Sequence, residues 1–455
     1  VGLAIRLLLV PLHHPWDLQT WYNMFVDLSR DHSPYETLRE LTYSTRSHRG
    51  MIEIRDKIFP TTQARFYEYY AYPPLPLVIY YPIAKLYGRL FGLDHQFVFQ
   101  GAVAAHRIPV EFMLFFRVPL FAADVALALL LGRLAGEEKA RTFFLNPFVI
   151  IVSAAWMIEG LMAVFALGAL WLLTRGRHTA AGLLLALGTL TKWTPGILWP
   201  VAGLWMLHRR TPWRSQAAFH VAFLATLVAG VAPFWECVLF AARFHALRPG
   251  ANLSPHILLY VLAQFSRSDV GWYYHVLSAY VGAVTLPLTL GWAYPAQVRR
   301  PMPLATAACL TVIAFLLGSK VVNEPYVFLL LPLLLWEDAE PPSEAKKFLF
   351  KASYALPLAF AILNVPVLMF LLPAYLQVVQ RDPSYVYGLE RALPREWHAV
   401  IQAVLAFAFV GLMLYAFRLF AKEVAHDAVP GPAHRPSIHR ARPESAHRPV
   451  AEDPG

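Results

Sequence analysis

The chain has 455 residues, of which 57% are hydrophobic and only 15% charged, and its mean hydropathy is +0.46. A soluble protein carries about a quarter charged residues to solvate its surface, so composition argues against a water-soluble fold and for an all-α integral membrane protein. The net charge of +10 lies in small clusters between apolar runs, the pattern of cytoplasmic loops and not of a nucleic-acid-binding surface.

The first apolar run is interrupted by Arg6 and is shorter than the ~20 residues of a span. It reads as a first helix that is truncated or differently started. Trp16-Asp17 falls where that span leaves the membrane, ahead of a helical-looking stretch at 18–30. Asp17 there can cap the helix. It can equally act as a carboxylate at the mouth of a membrane cavity, partly desolvated yet reachable, as a general base must be. Residues 13–65 form a large first outer loop. The segment 72–92 contains Pro73, Pro74, Pro76 and Pro82, with Lys85 and Arg89 near its end. It reads as an interfacial or re-entrant juxtamembrane helix on the outer side. Counting both it and the better span at 112–134 would put either the first loop or the Arg133 cluster on the wrong side.

Beyond Phe112, short basic loops alternate with mixed or acidic ones. The basic set is 133–141, Arg175 with Arg177, 209–214, Arg299 with Arg300, 346–351 and the stretch after Arg418. The other set is 156–159, 192–194, 243–269, 320–324 and 377–397. With the basic loops cytoplasmic, the pattern predicts a polytopic helical bundle of about twelve spans. The short apolar blocks 143–155, 160–174, 179–191 and 325–336 suit helices packed inside a bundle around a polar hollow. Cys237 and Cys309 lie inside apolar segments and read as inert buried thiols. No internal repeat is evident. The tail 425–455, rich in His, Arg and Pro, reads as disordered.

The polar residues that break this pattern are the functional candidates. Arg117 and Asp124 are seven apart in one span, on one helix face, and each is costly there unless paired or turned inward. A structural role is expected for both. Glu159 lies between two apolar runs, where it needs water or a partner. Lys192, in Thr191-Lys192-Trp193-Thr194-Pro195, is a lone outer-side lysine, so an anion should hold it. Lys320-Val-Val-Asn323-Glu324-Pro325-Tyr326 repeats the anomaly, and a helical Lys320–Glu324 pair is its simplest structural explanation. The loop 243–269 adds His245, Arg248, Asn252, His256 and Arg267, too irregular to assign singly. Phosphate-loop, dinucleotide-binding, HExxH and GxSxG motifs are absent. The remaining chemistry is a site that takes a lipid-borne, phosphorylated substrate from the bilayer.

These motifs resemble those of the C-type (GT-C) glycosyltransferases, membrane enzymes that use polyprenyl-phosphate sugars. Trp16-Asp17 resembles the first outer loop of that superfamily, and Ser33-Pro34-Tyr35 and Tyr70-Ala71-Tyr72-Pro73-Pro74-Leu75 the loop and juxtamembrane helix after it. Arg117-Val-Pro119 with Ala123-Asp124 is similar to the second span of the dolichol-linked glucosyltransferases. Leu145-Asn146-Pro147 with Ser153 and Glu159, Lys192-Trp193-Thr194-Pro195, and Lys320-Val321 with Tyr326 resemble the first mannosyltransferase of glycolipid-anchor synthesis. The likeness covers about residues 16–336.

The resemblance implies an inverting transfer of a hexose, with mannose favoured, from a polyprenyl-phosphate donor to a hydroxyl on a lipid, glycan or protein. Asp17 would be the general base. Lys192, Lys320, Glu159, Asn323 and Tyr326 would bind donor phosphate and sugar, and Tyr72, Pro73 and Pro74 would shape the substrate entrance. Asp17 stands alone where the anchor mannosyltransferases carry Asp-x-Asp, so no cofactor is expected and a divalent metal is not favoured. Glu159 stands in place of Asp, preceded by Trp156 and Met157, which implies a differently shaped donor pocket. The expected organisation is a catalytic module at 1–336, further transmembrane helices at 337–424 and a cytoplasmic tail at 425–455. The location would be the cell membrane of a prokaryote or the endoplasmic reticulum of a eukaryote. A flippase or transporter of lipid-linked sugars, or a non-catalytic subunit of a glycosylation complex, is the alternative.

Overall fold

Proline and asparagine set several of the helix starts. Pro109, Pro212 and Pro303 hold extended backbone just ahead of a helix, as proline's fixed φ and missing N–H allow. Asn146 caps the helix after it by accepting from the N–H groups of Phe148 and Val149, at 2.9 and 3.3 Å, with Pro147 in its first turn. The computed structural model describes residues 1–10, 15–35, 70, 72–93, 108–156, 158–235, 238–239, 241, 251–265, 268–299, 301–337, 343–364 and 395–426. Most of the first loop, the stretch 365–394 and the tail from 427 lie outside them, with the predictions made for those stretches.

The described chain is mostly helical. It begins with α1 (Gly2–Leu8), α2 (Pro15–Ser29), α3 (Leu75–Phe91) and α4 (Val110–Ala135). Then come α5 (Glu137–Phe144), α6 (Pro147–Ile151) with a π turn at Val152–Trp156, α7 (Glu159–Thr174), α8 (His178–Thr191) and α9 (Leu198–His208). The second half holds α10 (Trp213–Val231), α11 (Ile257–Phe265), α12 (Ser268–Arg299), α13 (Leu304–Gly318), α14 (Leu330–Glu337), α15 (Glu344–Asn364) and α16 (Arg395–His426). Strand is confined, among the described residues, to β1 (Ala251–Asn252) and β2 (Val321–Val322). They pair in parallel, Ala251 opposite Val321 and Asn252 opposite Val322.

Two apolar cores hold these elements. An aromatic core joins α2, α3 and the first half of α4 through Trp21, Phe25, Tyr80, Tyr87, Phe112 and Phe116. The larger core, from Leu127 onward, takes in α7 to α9, α13, α14 and parts of α15 and α16. Small residues let backbones meet inside it, as membrane bundles require. A methyl group on Gly182 of α8 would stand 2.3 Å from the Phe219 carbonyl oxygen of α10. The α7–α8 hairpin puts Arg175 and Arg177 at one end and Glu159 and Lys192 at the other.

Among the described residues, three helices are long and apolar enough to cross a membrane, at Val110–Ala135, Trp213–Phe234 and Trp397–Lys422. Pro147–Ala154 and Glu159–Thr174 would add a fourth as one span bent by 118°. The expected twelve is therefore not reached. The blocks at 179–191 and 325–336 fall on short helices, α8 and the region of α14, whose inward sides are buried in protein. Hydropathy responds to protein burial and to lipid alike. The stretch 72–92, predicted to be a juxtamembrane helix, contains α3. Tyr80, Ala84 and Tyr87 of α3 are buried, while Val78, Leu86 and Leu90 are exposed. Lys85 beside them reaches back to Asp31, at 2.6 Å.

Candidate functional site

Glu159 is the first residue of α7 and is fully buried. Lys192 directly follows α8, where the backbone turns extended. Its ammonium is bonded to Oε1 of Glu159 and lies 4.4 Å from the centre of the Tyr326 ring. Three residues from distant parts of the chain thus form one cluster. The anion that the lone lysine required is Glu159 itself. The pair is nearly out of solvent, where removing one partner strands the other charge and costs about 3–5 kcal/mol. Oε2 of Glu159 has no hydrogen-bond partner among the described residues.

A polar lattice stands beside this cluster, reached through the short link from β2 to Tyr326. The amide of Asn252 donates to Oδ1 of Asn323 at 2.6 Å, next to the β1–β2 bridge. Ser254 donates to the Ser319 carbonyl and Thr285 to that of Gly318, at 2.9 and 2.8 Å. His256 Nε2 lies 3.3 Å from Thr285 Oγ1. Burial, and after it the charge of Lys320, holds the His256 imidazole below its usual pKa. The stem of Lys320 packs on Gly282 of α12, where a methyl group would come within 2.5 Å of Lys320 Cβ. The α-helix that an i, i+4 Lys320–Glu324 pair would require is not formed. Val321 and Val322 are strand, and Glu324 only begins a 3-10 turn. Two β-branched residues followed by a residue held before proline disfavour α-helix there.

Asp17 lies in the first turn of α2, which starts at Pro15, so the helix begins earlier than the sequence suggested and Asp17 is not its N-cap. Its side chain lies outside the described part of the structure. One turn on, Trp21 is buried and stacked on Tyr72, with ring centres 5.0 Å apart. Tyr70 donates to the Pro73 carbonyl and Tyr35 to that of Tyr72, so two hydroxyls clamp the turn leading into α3. Pro73 and Pro74 are buried and Tyr72 is half-buried. The Tyr35 ring, 5.5 Å from that of Phe234, links this turn to the far end of α10.

Arg117 and Asp124, expected to be paired or turned inward, are both buried. Asp124 accepts from Nε of Arg6 in α1 at 2.8 Å, and both side chains are fully buried. Arg117 is buried about two turns earlier, near Tyr80. Sequence reasoning also passed over Thr20, Asn23 and Asp27, all buried on α2. Their three- and four-residue spacing in an apolar helix was the available signal. No group of three or more metal-type ligands occurs among the described residues. No known family model matches the chain, and no curated protein is similar enough to count as a relative.

Proposed function

We propose that the chain is a multi-pass membrane glycosyltransferase of the C type, with the short helices embedded alongside the long ones as part of about twelve spans. The reading places it in the cell membrane of a prokaryote or the endoplasmic reticulum of a eukaryote. It would move a hexose, mannose by preference, from a polyprenyl-phosphate donor to a hydroxyl acceptor. The observation that carries the reading is the meeting of Glu159, Lys192 and Tyr326, next to the lattice of Asn323 and Lys320. Glu159, Lys192 and Tyr326 meet although they are spread over more than a third of the chain.

The step is a single displacement. The acceptor oxygen forms the new bond to the anomeric carbon as the bond from that carbon to the phosphate oxygen breaks. The proton of the hydroxyl passes to the Asp17 carboxylate, and polyprenyl phosphate departs with the electron pair. That leaving group needs positive charge more than a proton, and fixed cations in a low-dielectric site supply it without reorganising. Lys192 and Lys320 would fill this role, with Tyr326 and Asn323 beside the sugar. Tyr72, Pro73 and Pro74 would form a rigid shoulder of the entrance, since the carbonyls of Tyr72 and Pro73 are clamped. The reading needs no metal.

Membranes holding the protein, given labelled polyprenyl-phosphate mannose or glucose, should transfer one label to an acceptor. Asp17→Asn should lower turnover by about 10²–10⁴-fold with donor binding little changed. No transfer of either label would end the reading, and an Asp17→Asn protein working at the wild-type rate would end the base assignment.

A further inference from the structure

The Glu159–Lys192 pair sits just after a break. The π turn and the 118° bend separate α6 from α7. A helix that starts beyond such a bend takes no direction from the one before it, so lateral contact must fix where its first residue stands. That contact is visible one residue along. A methyl group on Gly160 would stand 2.6 Å from Oδ1 of Asp124, and 3.8 Å from the Leu120 carbonyl oxygen. The start of α7 therefore rests on the Asp124 carboxylate of α4, and only glycine fits between them.

Asp124 is itself held from the other side. Its Oδ2 accepts from Arg6, whose guanidinium also donates to the carbonyls of Gly2 and Phe144, at 3.2 and 2.9 Å. The same guanidinium lies 4.2 Å from the centre of the Phe144 ring. Ser153 adjoins the carboxylate and donates to the Val149 carbonyl at 2.8 Å. The side chain thus has one orientation, with Oδ1 turned to Gly160. A second buried acid–base pair, Glu337 with Lys346 at 2.9 Å, belongs to α14 and the start of α15. A pair needed only for stability would serve equally well in either place.

We propose that Asp124 is a positioning residue which, through its contact with Gly160, sets the start of α7 so that Glu159 meets Lys192 over Tyr326. This deepens the transferase reading, on which it rests only for the purpose of the cluster. Its test uses no glycosyl transfer, so either idea can fail without the other.

The test reads the pH profile of Lys192 acylation by a small amine-reactive anhydride, by peptide mass spectrometry on the full chain in membranes. In the wild type the paired ammonium should react slowly. In Gly160→Ala, with α7 pushed off the carboxylate, the rate at a given pH should rise about tenfold, the effect of roughly one pKa unit on the free-amine fraction. Asp124→Ala should do the same, while Asp124→Asn, of equal size, should stay within about twofold of wild type. Glu337→Gln, which strains the other buried pair, should leave the profile unmoved. If Gly160→Ala fails to accumulate, the contrast between Asp124→Ala and Asp124→Asn decides. An unchanged Lys192 profile in folded Gly160→Ala or Asp124→Ala would overturn the proposal. So would a rise in Glu337→Gln equal to theirs, which would mark general loosening.

Discussion

Helices α10 and α13 look alike on paper and live in different surroundings. Both are apolar on all sides. Yet α10 buries only Phe219 and Phe223, whereas α13 buries every residue except Phe315 and Leu317. Length follows the same division: 19 residues of α10 reach about 28 Å and 15 of α13 about 22 Å, against a hydrocarbon core of about 30 Å. Polar contacts follow it too. Thr311 of α13 accepts from Gln297 at 2.8 Å, Thr306 meets Glu337 at 3.2 Å, and the carbonyls past its end are bonded to Ser254 and Thr285. The side chain of Gln216 near the start of α10 bonds only to the nearby Thr211 carbonyl. Apolar character marks a helix that avoids water. Length and polar ties tell whether lipid or protein replaces it.

The sharpest way to break this comparison is a charge. Ala308→Asp should cost about 4 kcal/mol or more and abolish folding in most preparations. Val221→Asp on the open face of α10 should cost about 2.5–3.5 kcal/mol in a bilayer. Equal costs for both on insertion and unfolding in reconstituted membranes would remove the distinction, and a cost near zero for Val221→Asp would mean that α10 faces water.

Cavities probe the same difference more gently. Ile313→Ala should destabilise by about 2–5 kcal/mol, because close-packed neighbours relax only in part. Val228→Ala, with lipid to fill the gap, should stay within about 0.5 kcal/mol. Matched thermal unfolding of the two variants decides it. Smaller again is Thr311→Val, which removes an interhelical hydrogen bond worth about 0.6 kcal/mol in such bundles.

The apolar blocks, the helix within 72–92 and the odd status of Glu159, Lys192 and Tyr326 were legible in the sequence, because each is a local departure from pattern. Their meeting was not legible. Glu159 and Lys192 are 33 residues apart, and periodicity reports only neighbours on one helix. The same limit hid the partner of Asp124, which is Arg6 at a separation of 118 residues. The Asn252–Asn323 bond and the β1–β2 bridge left no local trace, since two-residue strands are too short to show a period. Hydropathy alone could not sort the short apolar blocks into spans and protein-buried helices, for the reason α10 and α13 display.

The faintest expected effect sits at the pinned end of α13. His256, with Lys320 near it and Thr285 against it, has a folded pKa below its unfolded one. It therefore favours the folded state fully above about pH 6.5, and that contribution is lost as the pH falls toward the folded value. Between pH 7 and 5, the protection of amides at 251–256 against exchange, relative to the intrinsic rate at each pH, should fall in the wild type and stay constant in His256→Gln, while that of α10 shows no change in either. Identical profiles would mean that another group senses the pH.

The 118-residue separation of Arg6 and Asp124 also sets an order of assembly. At about 5–20 residues per second of synthesis, Arg6 emerges roughly 6–24 s before its carboxylate. Over that interval a cation that ends fully buried has no acid to meet, and hydrocarbon excludes it. The segment carrying Arg6 can dock only once α4 has been made. Its docking is thus a late event in assembly, and a chaperone or slow elongation between residues 6 and 124 would act on that wait.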